Sequence, residues 1–346
     1  MGESVGHFTQ SPVDPGRSVL ELSVALSDNP RTRPVIEGRV PFEGLRLVPT
    51  TVHPSEMFWR QLRYGDFDVS EMSLSTLTIL TSKGNRDWVG IPIYTMRKFF
   101  HNEILVRKDA GIEVPADLKG KRVGVPEYQQ TAAIWTRGVL QHEFGVHARD
   151  MTWWMERSDK SHGHSSGFKA PDGVSITPVP LDTNLGDMLL GGAIDGIVHY
   201  IANNNLVDRS RVDVTADPRV KYLFPDREAE SARYYGKTGI FPINHCMVIK
   251  RSVYERHPWV ALNLYSGFLA AMEQVRKDSL AWMALYYEMG LVDRDVRRVV
   301  TKTPMPYGVK AARPVLETIT QYVHEQGLCD RRVDVAELFA PNTLDL

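Results

Sequence analysis

Short apolar runs alternate along the first part of the chain with stretches in which apolar residues recur every three or four positions. The runs predict β-strands and the wider spacing predicts helices. A strand at 45–48 precedes a helix at 55–64, and a strand at 67–72 precedes a helix at 77–80. This alternation predicts an open, mostly parallel α/β sheet.

Residues 119–140 show the strand-to-helix pattern most clearly. A short strand around Val123 ends at Pro126, and an apolar pattern with helical spacing follows the Gln-Gln-Thr sequence at 129–131. The first amides of such a helix have no partner within the helix and carry the positive end of its dipole. This loop is therefore a candidate carboxylate seat. The alternative is an ordinary loop whose polar residues only cap the helix.

The chain of 346 residues exceeds the roughly 250–300 residues at which a single core stops growing, so two lobes are expected. A polar segment at 107–120 marks the crossing into a second lobe, and the β run at 239–250 marks the return. We expect an α/β fold in which each lobe is an open mixed sheet flanked by helices, with a ligand cleft between them. The predicted divisions are a flexible arm at 1–17, a first lobe at 18–108 and 240–346, and an inserted second lobe at 109–239.

Several further elements complete the prediction. A strand at 103–106 is assigned to the first lobe, another is expected at 194–200, and the polar segment 158–178 is expected to be a loop that covers the cleft. The C-terminal part is predicted to be helical at 258–275, 279–289 and 311–325.

Charge and composition exclude several classes of protein. The chain has 41 basic and 42 acidic residues and a net charge of −1, without a long block of one sign, so neither nucleic acid nor a membrane surface is an expected partner. The N-terminus lacks the pattern of a secretory signal, and no apolar run reaches the roughly 18 residues that span a bilayer. We therefore expect a cytoplasmic protein.

Candidate functional residues cluster where predicted strands end, which is where ligands bind in open α/β sheets. Arginine suits a carboxylate because its planar fork bonds both oxygens. Histidine suits proton transfer near neutral pH. Each residue also has a structural explanation, and only their joint placement favours a site. The catalytic candidates are His101, His199 and His245, and the substrate-binding candidates are Arg33, Ser73, Ser75, Arg97, Gln129, Gln130, Thr131 and Asn244.

No cofactor is expected. The sequence lacks a Walker loop, GxGxxG and HExxH, so nucleotide chemistry has no support. His162 and His164 stand two residues apart in a Gly/Ser-rich segment, but zinc needs three or four ligands. A divalent metal held by His162, His164 and His199 remains the alternative.

Four segments resemble the 4,5-dihydroxyphthalate decarboxylases. The resemblance extends over residues 20–325 and implies the type II periplasmic-binding-protein fold. It also implies cofactor-independent loss of CO2 from 4,5-dihydroxyphthalate to give protocatechuate (3,4-dihydroxybenzoate). The segments are FWRQLRYGDFDVSEMSLST at 58–76, DLKGKRVGVPEYQQTAAIWTRGVL at 117–140, DMLLGGAIDGIVHY at 187–200 and GIFPINHCMVIK at 239–250.

The resemblance also suggests roles for the candidate residues. Arg97, with Ser75 and the amides of residues 130–131, would bind a carboxylate. His101 or His245 would donate the proton, and His199 would contact the hydroxyl groups. The rival functions are a transporter's solute-binding component for a carboxylate and a decarboxylase for another hydroxylated aromatic acid. We also expect a homo-oligomer, with the apolar helices at 258–289 able to pack against another subunit.

Overall fold

The computed structural model describes residues 19–158, 168–293, 295–296 and 305–346, so the arm predicted at 1–17 lies outside the described residues. Within the described residues the chain forms two β-sheets flanked by helices, and the predicted two-lobed α/β fold is confirmed. The strands are β1 (Leu20–Leu26), β2 (Leu45–Thr51), β3 (Val69–Ser73), β4 (Trp88–Arg97), β5 (Leu105–Arg107), β6 (Arg122–Val125), β7 (Thr152–Met155), β8 (Ser175–Pro178), β9 (Gly196–Ile197), β10 (Val220–Tyr222) and β11 (Ile243–Lys250).

The helices lie between and after these strands. Their apolar faces cover the sheets. In the helix at Val309–Glu325, for example, eight residues at three- and four-residue spacing are buried. The helices are α1 (Arg33–Ile36), α2 (Pro54–Tyr64), α3 (Leu74–Ser82), α4 (Thr131–Phe144), α5 (Leu185–Leu190), α6 (Arg227–Thr238), α7 (Arg251–Arg256), α8 (Trp259–Glu288) and α9 (Val309–Glu325).

The first sheet has the strand order β2-β1-β3-β11-β4. Strand β1 is parallel to β2 and β3, whereas β11 returns late in the sequence and lies antiparallel to β3 and β4. Strand β3 is buried at every position and β11 at all positions except its last. These two central strands therefore place their polar side chains inside the protein.

The second sheet has the strand order β10-β5-β9-β6-β7-β8. Its centre is parallel, from β9 through β6 and β7 to β8, while β5 is antiparallel to both β9 and β10. The sequence analysis assigned the strand at 103–106 to the first lobe. Because β5 pairs in the second sheet, the change of sheet occurs between Arg97 and Leu105 instead.

Several other elements differ from the sequence prediction. Helix α8 runs without a break where two helices were predicted, and β9 is only two residues long. Strand β8 lies inside the segment predicted to be a loop at 158–178. Between the strand expected at 194–200 and the β run at 239–250 the sequence predicts an irregular segment, but helix α6 and strand β10 form there. Strands β8 and β10 and helix α6 bury few side chains, so their apolar pattern in the sequence is weak.

Helix α4 connects the second sheet to the first lobe. All residues from Thr131 to Leu140 are buried, because α4 packs against α3, α9 and β11 as well as against its own lobe. The indole nitrogen of Trp135 donates a hydrogen bond of 2.9 Å to the Ile243 carbonyl oxygen. No helix among the described residues is long and apolar enough to cross a membrane.

Candidate active site

A cavity of about 270 Å³ lies between the two lobes. The first lobe contributes residues from the ends of β3 and β4, from the start of β11 and from α2. The second lobe contributes the start of α4 and the segments that follow β7 and β9. The lining residues are His53, Pro54, Ser55, Phe58, Ser73, Met96, Lys98, Phe100, Gln130, Thr131, Ala132, Arg157, His199, Tyr200, Ile201, Ala202, Asn203, Asn244 and His245.

His245 is held by a buried carboxylate on the neighbouring strand. Its Nδ1 lies 3.0 Å from Oε2 of Glu71, and its Nε2 lies 3.0 Å from the side-chain nitrogen of Asn244. The edge of its ring meets the Phe58 ring, with centroids 4.8 Å apart. A carboxylate only accepts hydrogen bonds, so Nδ1 carries a proton, and Nε2 of the neutral ring accepts a hydrogen bond from the Asn244 amide at the cavity wall. This arrangement suits a general acid or base.

Glu71 was missed by the sequence analysis. Burial raises the pKa of its carboxyl, but the hydrogen bond and charge of His245, together with hydrogen bonds from Ser27, outweigh burial and hold the pKa below its usual value. Glu71 is therefore ionised at neutral pH. A signal was present in the sequence, because a carboxylate in the middle of a predicted strand requires partners when that strand is buried.

His199 lies in the cavity wall beside Phe100, with ring centroids 5.3 Å apart. Burial is the main cause that lowers the pKa of His199 to about 3, and the charges of Lys98 and Arg157 act in the same direction. The imidazole is therefore neutral at neutral pH. His199 also has a φ of 58°, a left-handed conformation that residues other than glycine seldom adopt.

His53 is a cavity histidine that the sequence analysis did not select. It precedes α2, and its Nδ1 accepts a hydrogen bond of 3.3 Å from the Ser55 amide, so the ring caps the helix. Its Nε2 lies 3.3 Å from the side-chain nitrogen of Asn203 in the other lobe. Burial is the main cause that lowers the pKa of His53. Because Nδ1 accepts, this neutral ring carries its proton on Nε2, and it donates that proton to the Asn203 amide when the amide turns its oxygen toward the ring.

Arg157 is a second cavity residue that the sequence analysis missed. Its Nε and Nη2 donate to Oδ1 of Asp208 at 2.9 and 2.5 Å, and Nη2 also lies 2.6 Å from the Ser55 hydroxyl oxygen. Arg157 and Asp208 belong to the second lobe, whereas Ser55 belongs to α2 of the first. The hydrogen bond from Arg157 to Ser55 therefore joins the lobes at the cavity wall, and the buried ion pair with Asp208 holds Arg157 in place for it.

Three predicted hydroxyl residues meet where α3 and α4 begin. The Ser73 and Thr131 hydroxyl oxygens are 2.6 Å apart, and the Ser75 hydroxyl donates to the Gln129 carbonyl oxygen at 2.7 Å. The Ser75 amide donates to the Thr131 hydroxyl oxygen at 3.0 Å, and the Thr131 amide to that of Ser73 at 3.3 Å. Each helix thus caps the other, so these two amides already have partners.

Three other predicted residues have partners away from the cavity lining. The Arg97 guanidinium donates to the Phe241 carbonyl oxygen at 2.6 and 3.2 Å, and burial lowers the pKa of Arg97 to about 10. Nε2 of His101 lies 2.9 Å from Oε1 of Glu230 within an aromatic cluster. Arg33 forms an exposed ion pair with Asp28.

Two of the three residues proposed as metal ligands, His162 and His164, lie outside the described residues. Among the described residues, no group of three or more His, Cys, Asp or Glu side chains is placed to hold a metal ion.

Comparison with known proteins agrees with the architecture. The fold is similar to those of the periplasmic aliphatic sulphonate binding protein SsuA of Escherichia coli and the alkanesulfonate-binding protein SsuA of Xanthomonas axonopodis pv. citri. Both have a TM-score of 0.52 and 14% identity, and the alignments cover 92% and 93% of this chain and 91% and 96% of theirs. The two lobes and the cavity between them therefore place the chain in the fold class of the periplasmic binding proteins. The family model described as NMT1/THI5 like matches residues 79–154.

Closer relatives define the family within this class. The 4,5-dihydroxyphthalate decarboxylase of Comamonas testosteroni is 34% identical over 333 residues, which are 95% of this chain and 98% of the relative. The enzyme of the same name from Pseudomonas putida is 33% identical over 217 residues, which are 62% of this chain and 81% of the relative. The chain belongs to the 4,5-dihydroxyphthalate decarboxylase family, and the resemblance found in the sequence is confirmed.

Proposed function

We propose that this protein catalyses the non-oxidative decarboxylation of a hydroxylated aromatic acid, with 4,5-dihydroxyphthalate as substrate and 3,4-dihydroxybenzoate and CO2 as products. The names of the two relatives support the choice of substrate. The reaction type rests on the placement of His245. This residue lines the cavity, and its Nδ1 contacts the buried carboxylate of Glu71.

The substrate has the electronic structure that such a reaction needs. The hydroxyl para to the leaving carboxylate donates electrons into the ring, so the carbon that bears this carboxylate accepts a proton. The resulting intermediate has lost its aromaticity. Its carbon–carbon bond to the carboxylate then breaks, the bonding electrons return to the ring, and CO2 leaves. One proton is consumed for each CO2 released, and no electron acceptor is required.

We assign the proton donor to His245. In its protonated form the ring donates from Nδ1 to Glu71. Its Nε2 proton can pass to the substrate once the Asn244 amide, which donates to the neutral Nε2, has turned its oxygen toward the ring or given way to the substrate. After transfer, the neutral ring keeps the Nδ1 proton and is protonated again from solvent. General acid catalysis of this kind is typically worth about 10²–10⁴-fold in rate. His101 has a buried partner in Glu230, so we assign it a structural role.

The other end of the cavity suits the hydroxyl groups. The neutral His199 ring has a nitrogen lone pair that accepts a hydrogen bond from a catechol hydroxyl. An acceptor at the para hydroxyl favours electron donation into the ring. His53 supplies a neutral donor from the opposite lobe, and Phe58 and Phe100 offer apolar surface for the ring.

The second carboxylate of the substrate needs a positive charge. Lys98 lines the cavity and remains half exposed, so its ammonium group is available to a ligand although it also pairs with Glu103 at 2.6 Å. Arg97 donates to a backbone carbonyl instead. We therefore assign the second carboxylate to Lys98, with the Gln130 side chain as a further contact.

The proposal needs no cofactor, because the para hydroxyl supplies the electrons and His245 the proton. A cytoplasmic location and a homo-oligomeric state belong to the same proposal. Cell fractionation and light scattering test these two statements.

The direct test is to incubate the purified protein with 4,5-dihydroxyphthalate, with and without EDTA, and to measure CO2 and 3,4-dihydroxybenzoate. Phthalate, which lacks both hydroxyl groups, is the matched control and should not be turned over. Turnover with and without EDTA supports the proposal, whereas loss of turnover in EDTA contradicts a metal-free reaction. Absence of turnover, with a rise in melting temperature on adding an aromatic dicarboxylate, favours a solute-binding protein.

A further inference from the structure

Glu71 contacts the ends of three other strands of the first sheet. Its side chain is fully buried on β3. Oε1 accepts hydrogen bonds of 2.7 Å from both the amide and the hydroxyl of Ser27, which follows β1. Oε2 accepts a hydrogen bond of 2.7 Å from the Thr95 hydroxyl on β4 and lies 3.0 Å from Nδ1 of His245 on β11. The carboxylate is therefore fixed in position by bonds that do not involve His245.

We infer that Glu71 is a positioning residue for the reaction, which fixes the tautomer and the orientation of His245 and favours its protonated form. The inference rests on the proposed function, in which His245 donates the proton. An ionised carboxylate cannot donate a hydrogen bond, so it selects the ring that carries hydrogen on Nδ1. Its negative charge in a buried setting also stabilises a positive imidazolium.

Among the described residues, Glu71 is the group in contact with the His245 ring that can stabilise its positive charge. Asn244 and Phe58 contact the His245 ring and are uncharged. Titratable groups that interact electrostatically with His245 or Glu71 include His53 before α2, His199 after β9, Arg31 after β1, Tyr307 before α9 and Cys246 on β11. None of these five groups carries a negative charge at neutral pH, so Glu71 is the anion that meets the imidazolium.

The test replaces Glu71 by an isosteric amide, Glu71→Gln. The amide nitrogen donates a hydrogen bond, so it favours the ring that carries hydrogen on Nε2 and no longer stabilises a positive charge. We expect kcat to fall by about 10²-fold, within the range of general acid catalysis, with KM changed less than about threefold. The alkaline limb of the pH profile of kcat should move to lower pH, because the donor is active only while protonated.

Ser27→Ala is the matched control. It removes the hydroxyl contact with the far oxygen of the carboxylate, keeps the hydrogen bond from the backbone amide, and leaves Oε2 facing His245. A merely structural role for Glu71 predicts that both variants lose stability and keep the wild-type pH profile. An unchanged profile and a kcat within about tenfold of wild type in Glu71→Gln therefore overturn the inference.

A measurement without substrate separates the inference from the proposed function. The ¹⁵N chemical shifts of the His245 ring report its tautomer directly. We expect hydrogen on Nδ1 in the wild type and its loss in Glu71→Gln, and the same tautomer in both overturns the inference. If the wild type shows no turnover, the proposed function is wrong. The His245 tautomer measured in the two proteins still shows whether Glu71 positions the ring. If Glu71→Gln does not fold, Glu71→Asp replaces it as the test variant, because the shorter side chain withdraws the carboxylate from His245 by roughly one bond length.

Discussion

Replacing Gly138 by alanine tests how α4 of the second lobe docks onto the first. Gly138 lies inside α4 against Tyr322 of α9, and a Cβ atom there would lie 2.1 Å and 2.2 Å from Cδ2 and Cε2 of the tyrosine ring. The ring has little freedom to move away. Its edge or face meets Trp135 at 5.5 Å and His142 at 5.0 Å between centroids.

The expected magnitude follows from two opposed effects. Overpacking a well-packed core costs about 1–3 kcal/mol, and an overlap of this size belongs at the upper end. Alanine gains about 1 kcal/mol over glycine in a helix interior. We therefore expect Gly138→Ala to lower the free energy of unfolding by about 2 kcal/mol.

Gly236→Ala is the matched control, because Gly236 lies in α6 with no heavy atom within 4 Å of an added Cβ. There the helix preference acts alone, and the free energy of unfolding should rise by about 0.5–1 kcal/mol. Urea denaturation followed by circular dichroism measures both variants. If Gly138→Ala is as stable as the wild type or more so, the close packing of α4 against α9 is refuted.

Three further predictions concern residues near the cavity. Arg97→Lys should lower the free energy of unfolding by about 1 kcal/mol, since the contacts of a buried guanidinium with the Phe241 carbonyl are lost. KM should stay unchanged, and a large rise in KM would show that Arg97 binds the substrate. Ser55→Ala should weaken substrate binding, measured by calorimetry, because it removes the 2.6 Å contact between α2 and Arg157; unchanged affinity would exclude this link between the lobes from ligand binding. The pKa of His199 is about 3 in the folded protein against 6.5 for the free side chain, so between these values the unfolded chain binds the extra proton and stability falls as pH falls. His199→Asn should make the free energy of unfolding less dependent on pH in that window, and an identical dependence would contradict the low pKa.

The fold was largely predictable because its central elements carry strong patterns. Strands β4 and β11 contain apolar runs, and α4 and α9 have clear helical spacing. Strand β5 was placed in the wrong lobe because the assignment of a short apolar run to a sheet depends on its hydrogen-bond partners. Those partners, β9 and β10, come roughly a hundred residues later, and sequence pattern alone does not identify them.

The site was predictable in its location but not in its contacts. The polar residues at strand ends do meet at the cavity in the cases of Ser73, Gln130, Thr131, His199 and His245. His101 looked equivalent to His245, yet its partner Glu230 comes from a helix 129 residues away. Arg157 follows β7, and its pairing with Asp208, 51 residues later, depends on tertiary structure that the sequence pattern does not show.

The measurement that tests the central claim most directly is the turnover of 4,5-dihydroxyphthalate by His245→Gln, with His101→Gln as the control and substrate affinity measured by calorimetry for both. The account predicts that His245→Gln binds the substrate within a few-fold of the wild type but loses at least about 10²-fold in kcat. It predicts that His101→Gln keeps its turnover. A His245→Gln variant that retains more than about a tenth of the wild-type kcat would contradict proton donation by His245.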